Sequence, residues 1–350
     1  LRTELFDYNL PHDRIALRPL AERDAARLLV LRDGAIEHRS VRELSELVPR
    51  GALLVVNDTR VLRARLFGQR RPGGGRVEIL LLRREGEPGP SEHWQALGRA
   101  SKALRPGTRI DSGDIEIEVL GSDAQGLLTV AVQTQPDVET ALDRHGRVPI
   151  PPYLAREDDA DDVVRYQTIY ARHAGSVAAP TAGLHFSNEL LERVQTRGVE
   201  LGRVTLHVGL GTFKPVAVDD LEDHRMHHEW LNVSQELTEQ VARARGRGAQ
   251  VIAVGTTVVR ALESARDEAR PGFVQAYSGD TDLFIRPGYR FHVVDGLLTN
   301  FHMPKSTLLA LVSAFAGTER VRAAYRAALA GGYRFLSYGD AMWIPERLRA

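Results

Sequence analysis

The hydrophobic period changes along this chain, and that change limits the architectures open to it. From about residue 63 to 132 the apolar residues alternate in short runs, at 76–82, 94–98, 115–120 and 127–132. Clusters such as Pro72-Gly73-Gly74-Gly75 and Glu87-Pro88-Gly89-Pro90 separate these runs. Short alternating strands at this spacing read as a small β-barrel or sandwich, and residues 138–145 read as a closing helix. Pro149-Ile150-Pro151-Pro152 then forms a stiff connector. Beyond it the spacing predicts helices over 188–197, 235–245, 256–265, 306–316 and 319–330. Strands are predicted over 204–208, 251–254 and 282–285. Such alternation suggests α/β layers. The first sixty residues resemble this second pattern, with helical spacing at 21–31 and a short buried strand at 53–56. The expected fold is therefore an α/β (mixed α+β) larger domain, 1–62 and 151–350, carrying an inserted small β domain, barrel or sandwich, 63–150.

The length, 350 residues, agrees with two domains, and an apolar share of 43% supplies a substantial core. No run of eighteen apolar residues is present, so no membrane-spanning helix is expected. Residues 1–10 carry Glu4 and Asp7 and lack an apolar signal core, which predicts a cytoplasmic protein. The chain has no cysteine, which removes disulfides, thiolate metal sites and cysteine nucleophiles. The formal net charge is zero, so any nucleic acid must be held by a local basic patch rather than by bulk charge. Lys102, Lys214 and Lys305 are the only lysines against a large excess of arginine. A compact, titratable ammonium is chemically distinct from a planar guanidinium, which singles out Lys305 for function.

Several segments carry chemistry. Val251 to Val254 followed by Gly255-Thr256-Thr257 reads as strand, glycine and helix start, whose amides could receive an anion or serve an ordinary turn. His207-Val208-Gly209-Leu210-Gly211 contains Gly-x-Gly but lacks the third glycine and the following helix of a dinucleotide fingerprint. His224, His227, His228 and Glu229 are dense enough to bind zinc, to shuttle protons, or to be solvated surface. The segment 179–186 is uncharged apart from His185. In 299–307, Asn300, His302, Lys305, Ser306 and Thr307 gather before a helix that Ser306 or Thr307 would cap. Asp58, Asp282 and Asp340 flank predicted strands or glycine turns, as bases or as turn acids.

Taken jointly, these segments resemble the S-adenosylmethionine:tRNA ribosyltransferase-isomerase family of queuosine biosynthesis. The resemblance starts at Phe6-Asp7-Tyr8-Asn9-Leu10-Pro11 and Asn57-Asp58-Thr59-Arg60-Val61. It continues through 165–170, Ala179-Pro180-Thr181-Ala182-Gly183-Leu184-His185-Phe186, 206–213 and His224-Arg225-Met226-His227. It ends with 281–285, Pro304-Lys305-Ser306-Thr307 and Tyr338-Gly339-Asp340-Ala341-Met342. These blocks span nearly the whole chain in family order, and the fit is poorest in the barrel-like stretch.

What the resemblance implies is transfer of the ribosyl part of S-adenosylmethionine to 7-aminomethyl-7-deazaguanine at the tRNA wobble position. Isomerisation then gives epoxyqueuosine, with adenine and methionine released. It implies a larger α/β domain with a small β-barrel, no metal and no cofactor beyond the cosubstrate S-adenosylmethionine. A monomer is expected. The chemistry needs a base for the 5′ proton, acidified by the sulfonium, an acid for departing adenine, and a neutral amine. His185, His207, His227 and His302 are the acid–base candidates, with Asp58, Asp282 and Glu229 next. Lys305 would stabilise an oxyanion. Thr181, Gly183, Gly209, Gly211 and Thr256 would shape the nucleoside pocket. Arg60, Arg63 and Arg65 are candidates for phosphate contacts, against a reading as surface charge. Three rivals remain: an ordinary methyltransferase, which would need a glycine-rich loop after its first strand; a metal hydrolase on His224, His227, His228 and Glu229; and a non-catalytic tRNA-binding module.

Overall fold

The computed structural model describes residues 1–124, 126–209 and 216–347. The strands, in chain order, are β1 (Arg27–Arg32), β2 (Ala35–Ser40), β3 (Leu53–Asn57), β4 (Thr59–Val61), β5 (Arg65–Arg71), β6 (Arg76–Glu85), β7 (Ser91–Ala100), β8 (Arg109–Ser112), β9 (Ile115–Ser122) and β10 (Leu128–Gln133). There follow β11 (His173–Ser176), β12 (Glu200–Leu206), β13 (Glu229–Val233), β14 (Val251–Val254), β15 (Tyr277–Thr281), β16 (Gly296–Asn300) and β17 (Ala341–Ile344). Nine form one sheet in the order β15-β13-β12-β3-β14-β16-β17-β1-β2, and six close a barrel in the order β10-β7-β6-β5-β8-β9. The remaining pair, β11 and β4, is parallel.

In the barrel the period-two pattern has its usual cause. Val77, Ile79 and Leu81 of β6 and Ile115, Ile117 and Val119 of β9 point inward to one core, while their neighbours face outward. The helix Val138–His145 packs Val138, Ala141 and Leu142 onto the same core.

The large sheet is buried on both faces. Leu53 and Val55 of β3 join one core and Leu54 and Val56 the other. Helices Gln235–Gly246, Thr256–Ser264, Thr307–Ala316 and Thr318–Ala330 bury their apolar stripes in the first core, and Asn188–Thr196 in the second. Strands so placed read as continuous apolar runs. This explains one departure from the sequence reading. The stretch 21–31, expected to be helical, is a short 3-10 turn, Arg23–Ala25, followed by β1. Leu28 and Val30 face one core and Leu29 and Leu31 the other, so the apolar run carries no period that separates strand from helix. The predicted strand at 282–285 is also displaced: β15 ends at Thr281, and the chain then leaves the sheet edge.

Four adjacent strands, β12, β3, β14 and β16, run parallel. Their C-terminal ends therefore lie along one edge, which is where open α/β sheets bind ligands.

Candidate active site at the carboxyl edge of the sheet

The four parallel strands deliver to that edge segments singled out from the sequence. β3 ends in Asn57-Asp58-Thr59, β12 in His207-Val208-Gly209, β14 in Gly255-Thr256, and β16 in Asn300-Phe301-His302. Asn57 ties two ends together. Its Nδ2 donates to the Leu206 carbonyl at 2.9 Å, and its Oδ1 accepts from the Leu206 and Thr59 amides at 3.0 and 3.1 Å. Asp58 is buried, accepts from the Thr205 hydroxyl at 2.7 Å and lies 3.7 Å from His173 Nε2.

Two cavities open along the edge. A cleft of about 850 Å³ lies between the barrel and the large sheet. Arg84 and Trp94 line it from the barrel, and His207, Gly209, Arg225 and Trp230 from the sheet side. His207 stacks on Trp230, with ring centroids 5.0 Å apart, and its Nδ1 is 2.8 Å from the Thr59 hydroxyl. Gly175 makes room for the ring, since a Cβ there would come within 2.6 Å of Nε2. Burial lowers the His207 pKa to about 4, assisted by His173 and Arg84, so the ring is neutral near pH 7.

The second cavity, about 60 Å³, is lined by Thr181, Thr256, Thr257, Asn300 and His302 among others. His302 is buried, its Nε2 lies 2.7 Å from the Thr299 hydroxyl, and burial lowers its pKa to about 3. The two cavities share one loop: His207 and Gly209 line the cleft, and Val208 between them lines the small pocket.

The other expected residues are placed as follows. His185 is buried at the end of the 3-10 turn Thr181–His185, with the Asn300 side chain as its polar partner. Burial lowers its pKa to about 4, partly offset by Asn300. Gly183 in the same turn packs against Tyr170, whose hydroxyl would lie 2.2 Å from an added Cβ. His227 and His228 line the cleft, and His224 packs edge-on against Phe284. Glu229 is not an open carboxylate: buried, it pairs with Arg260 and accepts from the Gly209 amide at 3.0 Å. That engagement removes it from the proposed zinc cluster. Among the described residues no three His, Asp or Glu side chains converge as metal ligands. Asp282 is exposed beyond β15 and lines neither cavity. Lys305 has φ +52° and lies 3.0 Å from Asp7, whose hydrogen bond and charge raise its pKa; it too lines neither cavity. Gly211 and Lys214 lie outside the described residues.

The three arginines proposed for phosphates are engaged internally. Arg60 pairs with Glu139, Arg63 donates to the Gly146 and Asp143 carbonyls, and Arg65 pairs with Glu78 at 2.7 Å. Sequence reasoning passed over Thr59, Trp230, Arg260 and the side chain of Asn57. Thr59 and Asn57 flank Asp58 in a segment already marked. Trp230 and Arg260 carry no local signal, since their partners come from other strands.

A family model described as queuosine biosynthesis protein matches residues 3–344. The chain belongs to this queuosine biosynthesis family. A relative from Sorangium cellulosum (strain So ce56), named S-adenosylmethionine:tRNA ribosyltransferase-isomerase, is 56% identical over 98% of each chain. One of the same name from Anaeromyxobacter sp. (strain K) is 51% identical over 99% of this chain and 100% of its own. Among solved structures, S-adenosylmethionine tRNA ribosyltransferase from Thermotoga maritima shares the fold with a TM-score of 0.55. It is 37% identical, over 97% of this chain and 99% of that one. Family membership thus agrees with the resemblance read from the sequence blocks, of which Asn57-Asp58-Thr59 and His207-Val208-Gly209 lie at one edge of the sheet.

Proposed function

We propose that this chain is an S-adenosylmethionine:tRNA ribosyltransferase-isomerase. It transfers and isomerises the ribosyl group of S-adenosylmethionine onto 7-aminomethyl-7-deazaguanine at the tRNA wobble position. Epoxyqueuosine-tRNA, adenine and methionine are the products. The observation that carries the reading is the convergence of His207, Gly209, Thr256 and His302 at one sheet edge, beside a cleft walled by a second, barrel unit. The barrel, residues 63–150, forms a domain inserted into the catalytic one. A splayed anticodon nucleotide needs such a cleft, because chemistry on a base requires it out of the stack.

His207 is the acid–base group facing the cleft. Thr59 fixes its Nδ1, and a neutral ring keeps a lone pair to receive the 5′ proton that the sulfonium acidifies. Asp58 is held by Thr205 and lies 3.7 Å from His173. Arg84 and Arg225 line the cleft and contact RNA phosphates in place of Arg60, Arg63 and Arg65. Glu229 and Arg260 position Gly209 rather than exchange protons. No helix among the described residues is long and apolar enough to cross a membrane. The enzyme works as a cytoplasmic monomer with no cofactor beyond its cosubstrate.

The test is product analysis with S-adenosylmethionine and an anticodon stem-loop bearing the aminomethyl base. Adenine and methionine released in equal amounts, only with the RNA present, are expected. Release of S-adenosylhomocysteine would replace this reading with methyl transfer, and RNA binding without turnover would leave a binding module.

A further inference from the structure

We infer that the end of the barrel remote from the cleft is a second RNA contact, which holds phosphates of the duplex stem behind the anticodon loop. The inference rests on the proposed activity for the identity of the RNA, and it adds a surface outside the cleft.

Charge is segregated along this part of the sequence. From 59 to 77 the chain has no Asp or Glu, yet it carries Arg60, Arg63, Arg65, Arg70, Arg71 and Arg76. From 93 to 110 it again has no Asp or Glu, and it carries Arg99, Lys102, Arg105 and Arg109. In a chain of formal net charge zero, such stretches build a local positive field.

The fold joins the two stretches at one mouth of the barrel. Arg76 of β6 pairs with Gln69 of β5, Val77 of β6 with Ala100 of β7, and Arg71 of β5 with Arg109 of β8. The Arg70 guanidinium donates to the Lys102 and Ala103 carbonyls at 2.9 and 3.1 Å, which fastens the loop between β7 and β8 to β5. Arg76, Arg99, Lys102 and Arg105 are left exposed there. The carboxylates of the neighbouring strands are already engaged. Glu78 pairs with Arg65, Asp111 and Glu116 with Arg71, and Glu118 with Arg109. Among the described residues Arg76, Arg99, Lys102 and Arg105 form no ion pair, so their charge is a surplus that a row of phosphates would neutralise.

Two further features favour RNA over a lipid surface. Membrane-surface segments set basic residues beside inserted apolar ones, whereas 71–76 and 99–108 expose no large apolar side chain. The patch is also in line with the cleft. Arg76 at this mouth and Arg84 in the cleft lie on the one strand β6, about 25 Å apart at a rise of about 3.3 Å per residue. A single nucleotide cannot touch both. A stem whose loop enters the cleft can, and phosphate contacts there would fix its direction without reading its sequence.

The experiment compares the wild type with the combined variant Arg76→Gln, Arg99→Gln, Lys102→Gln and Arg105→Gln. Equilibrium binding is measured over a salt series for two RNAs, the anticodon stem-loop and the same loop without its stem. These exposed substitutions should leave the denaturation midpoint in place. For the stem-loop, binding at about 0.15 M salt is expected to weaken about 10-fold or more, and the slope of log affinity against log salt to fall by about 3. For the stemless loop both should hardly change. A second variant, Arg76→Lys with Arg99→Lys and Arg105→Lys, keeps the charge and should keep the slope. Unchanged stem-loop binding in the glutamine variant would overturn the inference. So would an equal loss for the stemless loop, since the patch would then hold the loop. Loss of binding to phosphatidylserine vesicles with RNA binding intact would reassign the patch to a lipid surface. None of these readouts uses turnover, so failure of the ribosyl-transfer reading itself would appear separately, as absent adenine release.

Discussion

Three buried imidazoles set the behaviour of the site at the residue scale. His185, His207 and His302 all have pKa values lowered by burial, to about 4, 4 and 3, from an ordinary 6.5. Between these values the unfolded chain holds more protons than the folded one, so stability rises with pH across that window. The contribution is complete above about pH 6.5 and is lost as pH falls toward 4 and below. Unfolding near pH 5 should take up about three protons from these groups, read from the pH dependence of the denaturation midpoint. A flat profile between pH 4.5 and 6.5 would mean that the rings are not buried as described. For catalysis, His207→Gln should lower kcat by about 10²–10⁴-fold while S-adenosylmethionine still binds. Single-turnover rates and equilibrium binding separate the two effects. The histidines were legible in the sequence because an imidazole in an uncharged segment stands out. Asp282 and Lys305 looked equally plausible there, yet one ends exposed beyond β15 and the other beside Asp7. Side-chain direction after a strand end depends on the next turn, which residue type does not encode.

Among the elements, the strand ends and helix starts hold the site in place. Glu229 on β13 and Arg260 on helix Thr256–Ser264 form a buried pair that also receives the Gly209 amide. Arg260→Met should destabilise the fold by about 3–5 kcal/mol, because it strands a buried carboxylate. Adding Glu229→Gln should recover much of that loss in a denaturation series, and the absence of such recovery would contradict the pairing. Glu263, on the same helix, is fully buried and accepts from the His292, Val293 and Val294 amides. Most helices were legible from apolar spacing and caps, as with Ser306 accepting from the Leu309 amide at 3.2 Å. The helix expected at 21–31 was not, since β1 is covered on both faces and its leucines carry no period.

For the whole molecule, the question is how barrel and sheet share one substrate. Arg83 of the barrel reaches Asp280 of β15 at 3.1 Å, and Arg60 pairs with Glu139 on the barrel helix. These links frame the cleft but, partly exposed, add little stability. Arg84 and Arg225 face the space between. Arg84→Ala and Arg225→Ala should each weaken RNA binding about equally for any loop sequence and reduce the salt dependence by about one counterion. The KM for S-adenosylmethionine should hardly move, and a change confined to that KM would place the arginines on the cosubstrate instead. A small β unit within an α/β frame was legible from the shift in hydrophobic period, but the period left barrel and sandwich open, and closure depends on the pairing of β9 with β10 and β8. The cleft was not, because its walls join residues about 140 positions apart, such as Arg84 and Arg225.

In this reaction the ribosyl group moves, not the methyl, and differential labelling reads the difference directly. S-adenosylmethionine would be supplied in two batches, one labelled in the ribose carbons and one in the S-methyl group, each with the aminomethyl-bearing stem-loop. The ribose label should enter the RNA in proportion to adenine released, while the methyl label stays in free methionine. Methyl label in the RNA, or ribose label left in a soluble nucleoside, would contradict the account.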